Sequence, residues 1–105
     1  MSETPLTDYA SLADEIASWL RFQMNQVGAS RLVLGLSGGI DSAVVCALST
    51  MAAGPSRVIA AIMPIHSRPE DVRDAELVAS AFEVAPRVID LVAAHDALIA
   101  AMPAD

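Results

Sequence analysis

Residues 32–45 read LVLGLSGGIDSAVV, an apolar run that passes through a pair of glycines into a second apolar segment. The run 31–37 has few polar residues, which is typical of a strand buried on both faces of a parallel sheet. After the glycines, apolar residues recur at helical spacing over 40–53, and Gly54-Pro55 ends the pattern. The stretch therefore predicts a strand, a tight glycine loop and a helix, in that order.

The alternation of strand and helix continues on both sides of this stretch. A helix is predicted before the first strand, with Thr7 as its N-cap and Asp8 in its first turn. The S-x-x-E pattern at 67–70 fits a capping box, and Pro69 is tolerated in a first helical turn. The predicted elements are a helix over 7–27, a strand over 31–37, a helix over 40–53, a strand over 57–63, a helix that opens at Ser67, a strand over 87–91 and a helical segment around 93–101.

This order of elements predicts an α/β fold. Strands and helices that alternate with short connections favour a parallel sheet with helices on both faces, and crossovers in such units are nearly always right-handed. The fold class is therefore Rossmann-like, preceded by an N-terminal helix. Helical spacing also predicts which residues share one face of the first three helices: Tyr9, Leu12, Ile16, Trp19 and Gln23; Ile40, Val44, Leu48 and Met51; and Val72, Ala75, Ala79 and Phe82.

The composition restricts the classes of function. At 105 residues the chain is one small domain or a piece of a larger one, and its 54% hydrophobic content excludes a disordered tail. The net charge is −7 and the chain contains no Lys, so no cationic face for a polynucleotide or an anionic membrane is visible. A small anionic ligand remains compatible, because a few backbone N–H groups and a metal ion hold a phosphate whatever the net charge.

The single cysteine and the charged N-terminal residues indicate the cellular compartment in which the protein is expected. Cys46 is the only cysteine, so no disulfide forms within the chain, and its Ala-, Val- and Leu-rich surroundings predict a small buried residue rather than a reactive thiol. Residues 1–25 carry Asp, Glu and Arg throughout, and no apolar run reaches about 18 residues. These features argue against a signal peptide and a transmembrane helix, and the cytoplasm is the expected compartment.

The segment GLSGGIDS at 35–42 admits three interpretations. A plain strand-to-helix turn needs one glycine and a cap, and does not require this whole set of residues. The pattern G-x-S-x-G would expose Ser37 as a nucleophile with His66 or His95 as its base, but such elbows follow several strands rather than the first. The third interpretation is an anion site, because the segment lies at the carboxyl end of a parallel strand and at a helix N-terminus.

The residue types in the loop favour the third interpretation with a metal ion. The phosphate loop of P-loop NTPases requires a Lys, which this chain lacks. The position before Ser42 is Asp41, an anion that would repel a phosphate unless a divalent cation lay between them. Asp41 is therefore interpreted as a Mg²⁺ ligand, with Ser37, Ser42 and the loop N–H groups holding phosphate oxygens.

The sequence SGGIDS at 37–42 resembles the SGGxDS loop of the ATP pyrophosphatases, which split ATP between its α- and β-phosphates. NAD, GMP, asparagine and argininosuccinate synthetases share this loop, as do tRNA-modifying enzymes. The rest of the chain is similar in order and spacing to the ammonia-using NAD synthetases over about residues 7–100. The similarity rests on LVLGLSGGIDSAVVCALS, VIAAIMP, PEDVRDAELVASAF and VIDL.

The resemblance implies a set of nucleotide-binding residues. The adenine is expected near Ala61–Met63, and His66 and Arg68 in the adjoining loop either reach a phosphate or are exposed loop residues. Asp41 is expected to bind Mg²⁺ as well as ATP, and no side chain is assigned as a covalent nucleophile or other catalytic group. The residues expected to bind ATP are Gly35, Leu36, Ser37, Gly38, Gly39, Ile40, Asp41 and Ser42.

The resemblance also implies a reaction and a longer protein. The family's enzymes adenylate nicotinate adenine dinucleotide with release of pyrophosphate, and ammonia then gives the amide of NAD. Their chains are more than twice as long, so residues 1–105 are expected to form a single, partial nucleotide-binding domain of the ATP-pyrophosphatase, adenine nucleotide alpha-hydrolase-like type, inactive alone and homodimeric at full length. The alternatives are another ATP-pyrophosphatase synthetase, of the GMP or tRNA-modifying type, and a non-catalytic nucleotide-binding fragment.

Overall fold

The structure is a computed structural model that describes residues 8–65 and 67–103. Helices and strands alternate along these residues, and a single 3-10 turn at Pro55–Arg57 joins the second helix to the second strand. The elements are α1 (Tyr9–Val27), β1 (Leu32–Gly35), α2 (Ile40–Ala53), β2 (Val58–Ile62), α3 (Pro69–Ala81), β3 (Ala85–Val88) and α4 (Val92–Ala101).

The three strands form one parallel sheet in the order β1-β2-β3. Leu32 of β1 is in register with Val58 of β2, and Ile59 of β2 with Ala85 of β3. Helix α2 packs on β1 and β2, α3 packs on β2 and β3, and α1 packs against α2. The predicted Rossmann-like parallel sheet, preceded by an N-terminal helix, is confirmed. Helices on both faces stay a prediction, because α2 and α3 pack on the same face of the described sheet.

The core lies between the sheet and the helices α2 and α3. Leu34 and Ile62 of the strands meet Cys46 of α2 and Ala75 of α3 in one buried cluster. The expectation that Cys46 is buried is confirmed, and burial raises the pKa of its thiol, an effect that a hydrogen bond with Thr50 opposes in part. Small residues on the inward faces let the helices approach the sheet closely.

The third strand begins earlier than the sequence predicts. The prediction placed it at 87–91, whereas β3 spans Ala85–Val88 and contains Pro86. A proline normally argues against a strand, but β3 is an edge strand of the described sheet, where a missing N–H is tolerated. The predicted range also took in Asp90, whose carboxylate instead accepts the backbone N–H of Val92 at 2.9 Å, at the start of α4.

The first helix begins one residue later than the predicted N-cap implies. Thr7, the predicted N-cap, lies outside the described residues, and Asp8 occupies the N-cap position instead of the first turn. The Asp8 carboxylate accepts the backbone N–H of Ser11 at 3.1 Å. Asp is as good an N-cap residue as Ser and better than Thr, so the position of this helix start has a local cause.

The capping box predicted for α3 is wrong. Arg68 occupies the N-cap position, and no side chain caps the helix there. The Ser67 hydroxyl accepts the backbone N–H of Ile65 at 3.3 Å and so stabilises the preceding loop. Pro69 does lie in the first turn, as predicted, because its fixed φ suits that position and its missing N–H costs no hydrogen bond.

Much apolar surface stays uncovered in the described residues. The faces predicted for α1 and α2 point outward in part, with Trp19 59% exposed and Ile40 77% exposed. Val33 projects from the sheet face opposite α2 and α3 and is 69% exposed. The radius of gyration is 17.2 Å, against about 13 Å for a compact domain of 100 residues. The structure is therefore more open than a closed domain of this length.

Candidate functional site

The glycine loop lies at the carboxyl edge of the sheet. Strand β1 ends at Gly35, and the backbone N–H of Leu36 still donates to the carbonyl of Ala61 at 2.9 Å, which continues the pairing by one residue. The chain then turns, and α2 begins at Ile40 with Gly39 as its N-cap residue. The loop therefore lies at the carboxyl edge of the sheet, where open α/β sheets bind ligands.

Two serine side chains close this loop with four hydrogen bonds. The Ser42 hydroxyl donates to the carbonyl of Gly39 at 3.2 Å and accepts the backbone N–H of Ser37 at 3.1 Å. The two hydroxyl oxygens are 3.1 Å apart, and Ser37 Oγ accepts the backbone N–H of Gly39 at 3.3 Å. All four bonds form together when the Ser37 hydroxyl donates to Ser42, so both hydroxyl protons are used inside the loop.

Backbone N–H groups are left for a ligand at the same place. Among the described residues, no acceptor is found for the N–H groups of Gly38, Ile40 and Asp41. They belong to the loop and to the first turn of α2, where the helix dipole adds about half a positive charge. This combination favours an anion, and a phosphate oxygen has the acceptor chemistry to satisfy it.

Two features require a glycine at position 38, its backbone conformation and the close approach of neighbouring atoms. Its φ is +87°, which L side chains rarely adopt, and a Cβ placed on it would lie 3.2 Å from the carbonyl oxygen of Asp71 and 3.2 Å from Cβ of Asp74. The loop thus packs directly on the first turns of α3. At Gly35, in contrast, an added Cβ would make only an ordinary contact of 3.6 Å with Met63.

A cavity of about 270 Å³ adjoins the loop. Its walls include Gly35, Leu36 and Ser37 from the loop side, and Ala61–Met63 from the end of β2. The structure therefore brings together the start of the predicted ATP loop and the strand end predicted to lie against adenine. The remaining predicted residues, 38–42, lie outside this lining, at the start of α2.

Four residues of the cavity wall are not among the predicted site residues: Pro64, Ser67, Asp71 and Val72. Ser67 and Asp71 line the cavity from the start of α3. Helix α3 follows β2, so its first turn faces the same carboxyl edge of the sheet as the loop. That topology follows from the order of the predicted elements, but the capping-box prediction gives Ser67 a different role, and no local pattern distinguishes Asp71 from the other acidic residues of α3.

Arg68, close in sequence to the cavity wall, is not part of that wall. Arg68 forms exposed ion pairs, with its guanidinium 3.8 Å from Oε1 of Glu70 and 3.7 Å from Oδ1 of Asp71, and it is absent from the cavity wall. His66 lies outside the described residues. The described residues place no histidine within hydrogen-bond distance of Ser37, so nothing in them supports a nucleophilic serine.

Asp41 has the chemistry of a shared magnesium ligand. Its carboxylate is exposed in the first turn of α2, next to the free N–H groups. The part of the chain that the structure describes contains no group of three or more His, Cys, Asp or Glu that would hold a metal alone. Mg²⁺ commonly binds through one or two carboxylates together with substrate phosphates and water, and Asp41 fits that arrangement.

The fold and the loop define a class, and a family model gives the family. A parallel α/β sheet with a glycine loop at the N-terminus of a helix is the anion-binding arrangement of Rossmann-like proteins. The family model described as NAD synthase matches residues 12–103. The chain therefore belongs to the NAD synthase family.

The similar proteins agree with this family and are longer than the chain. The NH3-dependent NAD+ synthetase of Chlorobium phaeobacteroides (strain BS1) is 40% identical over 91 residues, 86% of this chain and 33% of that protein. The chain thus spans about a third of this relative. In the part of the chain that the structure describes, no helix has the length and hydropathy of a membrane span.

Two solved structures have the same fold. The NH3-dependent NAD synthetase of Campylobacter jejuni, in complex with the nitrate ion, superimposes with a TM-score of 0.85 at 26% identity and covers 94% of this chain and 43% of its own. The glutamine-dependent NAD+ synthetase of Acinetobacter baumannii, in complex with adenosine diphosphate, superimposes with a TM-score of 0.83 at 28% identity. The match covers 100% of this chain and 21% of the synthetase. The architecture of the described residues is thus shared by synthetases with both nitrogen sources.

Proposed function

We propose that this chain supplies the ATP-binding loop of an NAD synthetase that releases pyrophosphate from ATP. One observation carries the proposal: free backbone N–H groups and the carboxylate of Asp41 stand together at the start of α2. Neither alone suggests ATP, since the N–H groups attract any anion and the carboxylate repels phosphate. Together they suit a phosphate chain that binds with Mg²⁺.

The proposed roles follow from position. The N–H groups of Gly38, Ile40 and Asp41 hold oxygens of the β- and γ-phosphates, and Asp41 also binds Mg²⁺. The adenine occupies the 270 Å³ cavity beside Ala61–Met63 and contacts mainly backbone groups there. When bound, the metal offsets the charge that develops on departing pyrophosphate. The eight residues 35–42 are proposed as the ATP site on this basis.

The proposed reaction is amide formation at the carboxylate of nicotinate adenine dinucleotide. ATP adenylates the carboxylate, pyrophosphate leaves, and ammonia displaces AMP. The acceptor and ammonia would bind to surfaces outside this chain, because it spans about a third of its relative's length. On this proposal, residues 1–105 form one partial nucleotide-binding domain; the homodimer and the cytoplasmic location stay predictions.

The test is pyrophosphate release by the protein at its natural length. Asp41→Asn removes the charge and keeps the size, so Mg·ATP-dependent release with nicotinate adenine dinucleotide and ammonia should fall by about 100-fold or more, close to 3 kcal/mol. The matched control is Asp14→Asn, an exposed acid on α1. Unchanged release in Asp41→Asn would contradict the proposed role of this loop.

Parallel reactions separate the alternatives. Glutamine in place of ammonia tests the nitrogen source, since similar folds occur in synthetases of both kinds. Xanthosine monophosphate as the acceptor tests a GMP synthetase. ATP that binds without pyrophosphate release under any of these conditions would favour the non-catalytic alternative.

A further inference from the structure

A second cavity lies at the opposite edge of the sheet. It has a volume of about 390 Å³, is open to solvent, and is bordered by the C-terminal ends of α1 and α2 and by the 3-10 turn that precedes β2. Met24 and Ala52, each 6% exposed, line part of it. The polar side chains in its wall are those of Arg21, Asn25 and Arg57. The volume is within the usual range for small-ligand pockets, about 300–1,000 Å³.

Arg21 is held in place by the end of α2. Its Nε donates to the carbonyl of Ala52 at 3.0 Å, and its Nη2 donates to the carbonyl of Met51 at 3.2 Å. A guanidinium carries five N–H donors, so three remain after these two bonds. The planar group is thereby oriented before any ligand arrives, which lowers the entropy lost on binding.

Arg57 brings a second positive charge to the same cavity. It ends the 3-10 turn and, in the described residues, no ion pair involves it. The chain has 13 acidic residues and 6 basic ones, yet the cavity wall contains two arginines and no Asp or Glu. Both arginines are exposed, so their attraction for an anion weakens as the ionic strength rises.

We propose that this cavity binds a small doubly charged oxyanion of the phosphate or phosphomonoester class. Arg21 and Arg57 supply the positive charge, and the amide of Asn25 supplies a further donor. The site is distinct from the glycine loop, because the five residues of β2 separate the two edges of the sheet by about 15 Å. The inference does not depend on the reaction proposed for the loop.

A purely structural role for the two arginines is the alternative to this proposal. The bonds from Arg21 to Met51 and Ala52 stabilise the C-terminus of α2, and that role alone explains why an arginine is found there. The negative C-terminal ends of α1 and α2 also favour arginine and disfavour a carboxylate in this wall. Unlike Arg21, Arg57 makes no side-chain hydrogen bond to α2 in the described residues. Arg57 is therefore the residue whose replacement separates the two roles.

The test is an NMR titration of the ¹⁵N-labelled protein, at its natural length, with inorganic phosphate at constant ionic strength. Saturable shifts are expected for the backbone amides of Asn25 and Ala29, which border the cavity. Arg57→Gln should weaken phosphate binding at this site at least tenfold, since it removes a charge-assisted donor. Arg31→Gln removes the same charge at the same edge of the sheet, outside the cavity wall, and should change the affinity less than twofold.

Three results would overturn the proposal. The first is a shift that grows linearly with phosphate or that chloride reproduces at equal ionic strength. The second is equal weakening by Arg57→Gln and Arg31→Gln, which would indicate general electrostatics. The third is acetate binding as tightly as phosphate, which would reject the doubly charged class. Phosphate binding at the glycine loop is followed separately through the amides of Gly38 and Gly39, so failure of one site is distinguishable from failure of the other.

Discussion

Replacement of Gly38 by alanine tests the packing of the loop on α3. The residue has a φ of +87°, and an added Cβ would lie 3.2 Å from both the Asp71 carbonyl oxygen and Asp74 Cβ. The conformation costs an L residue about 1–2 kcal/mol, and crowding against backbone typically adds about 1–3 kcal/mol. We expect the free energy of unfolding to fall by about 2–5 kcal/mol in Gly38→Ala.

Two other glycines provide matched controls. Gly28 has a φ of +72° with nothing within 4 Å of an added Cβ, so Gly28→Ala reports the conformational cost alone, about 1–2 kcal/mol. Gly35→Ala meets only Met63 at 3.6 Å and should change stability by less than about 1 kcal/mol. The three free energies come from urea unfolding of the protein at its natural length. A Gly38→Ala loss no larger than that of Gly28→Ala would refute the close contact with α3.

Two further predictions concern hydroxyl and thiol groups. Ser42→Ala removes the hydroxyl that bonds Ser37 and the Gly39 carbonyl, so the free energy of unfolding should fall by about 1–2 kcal/mol and hydrogen exchange at the Ser37 amide should become faster. The control is Ser56→Ala, at an exposed position. Equal exchange rates at the Ser37 amide in the two variants would contradict the reasoning. Burial raises the pKa of Cys46, so at pH 8 its thiolate fraction is below that of a free thiol, and Ellman's reagent should react only after unfolding. Rapid reaction in the native state would contradict the burial.

The main course of the fold was predictable because the strong sequence signals are local. The apolar run at 31–37 and the glycines after it led correctly to a parallel strand, a turn and a helix. The Gly54-Pro55 stop after α2 and Pro69 in the first turn of α3 also act within a few residues, and both lie where they were predicted. Such signals depend little on the rest of the structure.

The wrong predictions concern features that depend on contacts between distant parts of the chain. Pro86 is compatible with β3 only because that strand lies at the edge of the described sheet, which no local pattern reveals. The faces predicted for α1 and α2 were chosen by apolar character, yet α2 buries Cys46, Ser49 and Ala52 instead. Small residues allow close packing against a neighbour, so the buried face depends on which neighbour is present.

The candidate site was predictable in part for the same reason. Helix and strand order alone places the loop and the end of β2 at one edge, and the structure has both at one cavity. The part played by Asp71 depends on how α3 rests against Gly38, a contact between segments more than 30 residues apart. The internal use of both serine hydroxyls was also hidden, because a hydrogen-bond direction depends on the folded loop.

The bonds between the two serines set the permitted length of the loop. Ser37 leaves the strand and Ser42 lies in the first turn of α2, and their hydroxyl oxygens must come within 3.1 Å of each other. One residue inserted or deleted in the helical part, at Ile40 or Asp41, would rotate Ser42 by about 100° around the helix axis, and one inserted or deleted at the glycines would change the distance that the loop spans. The fixed spacing of Ser-Gly-Gly-x-Asp-Ser is thus required by the geometry of the loop itself, before any nucleotide binds. For that reason a sequence pattern of six letters, with no tolerance for gaps, specifies a three-dimensional shape.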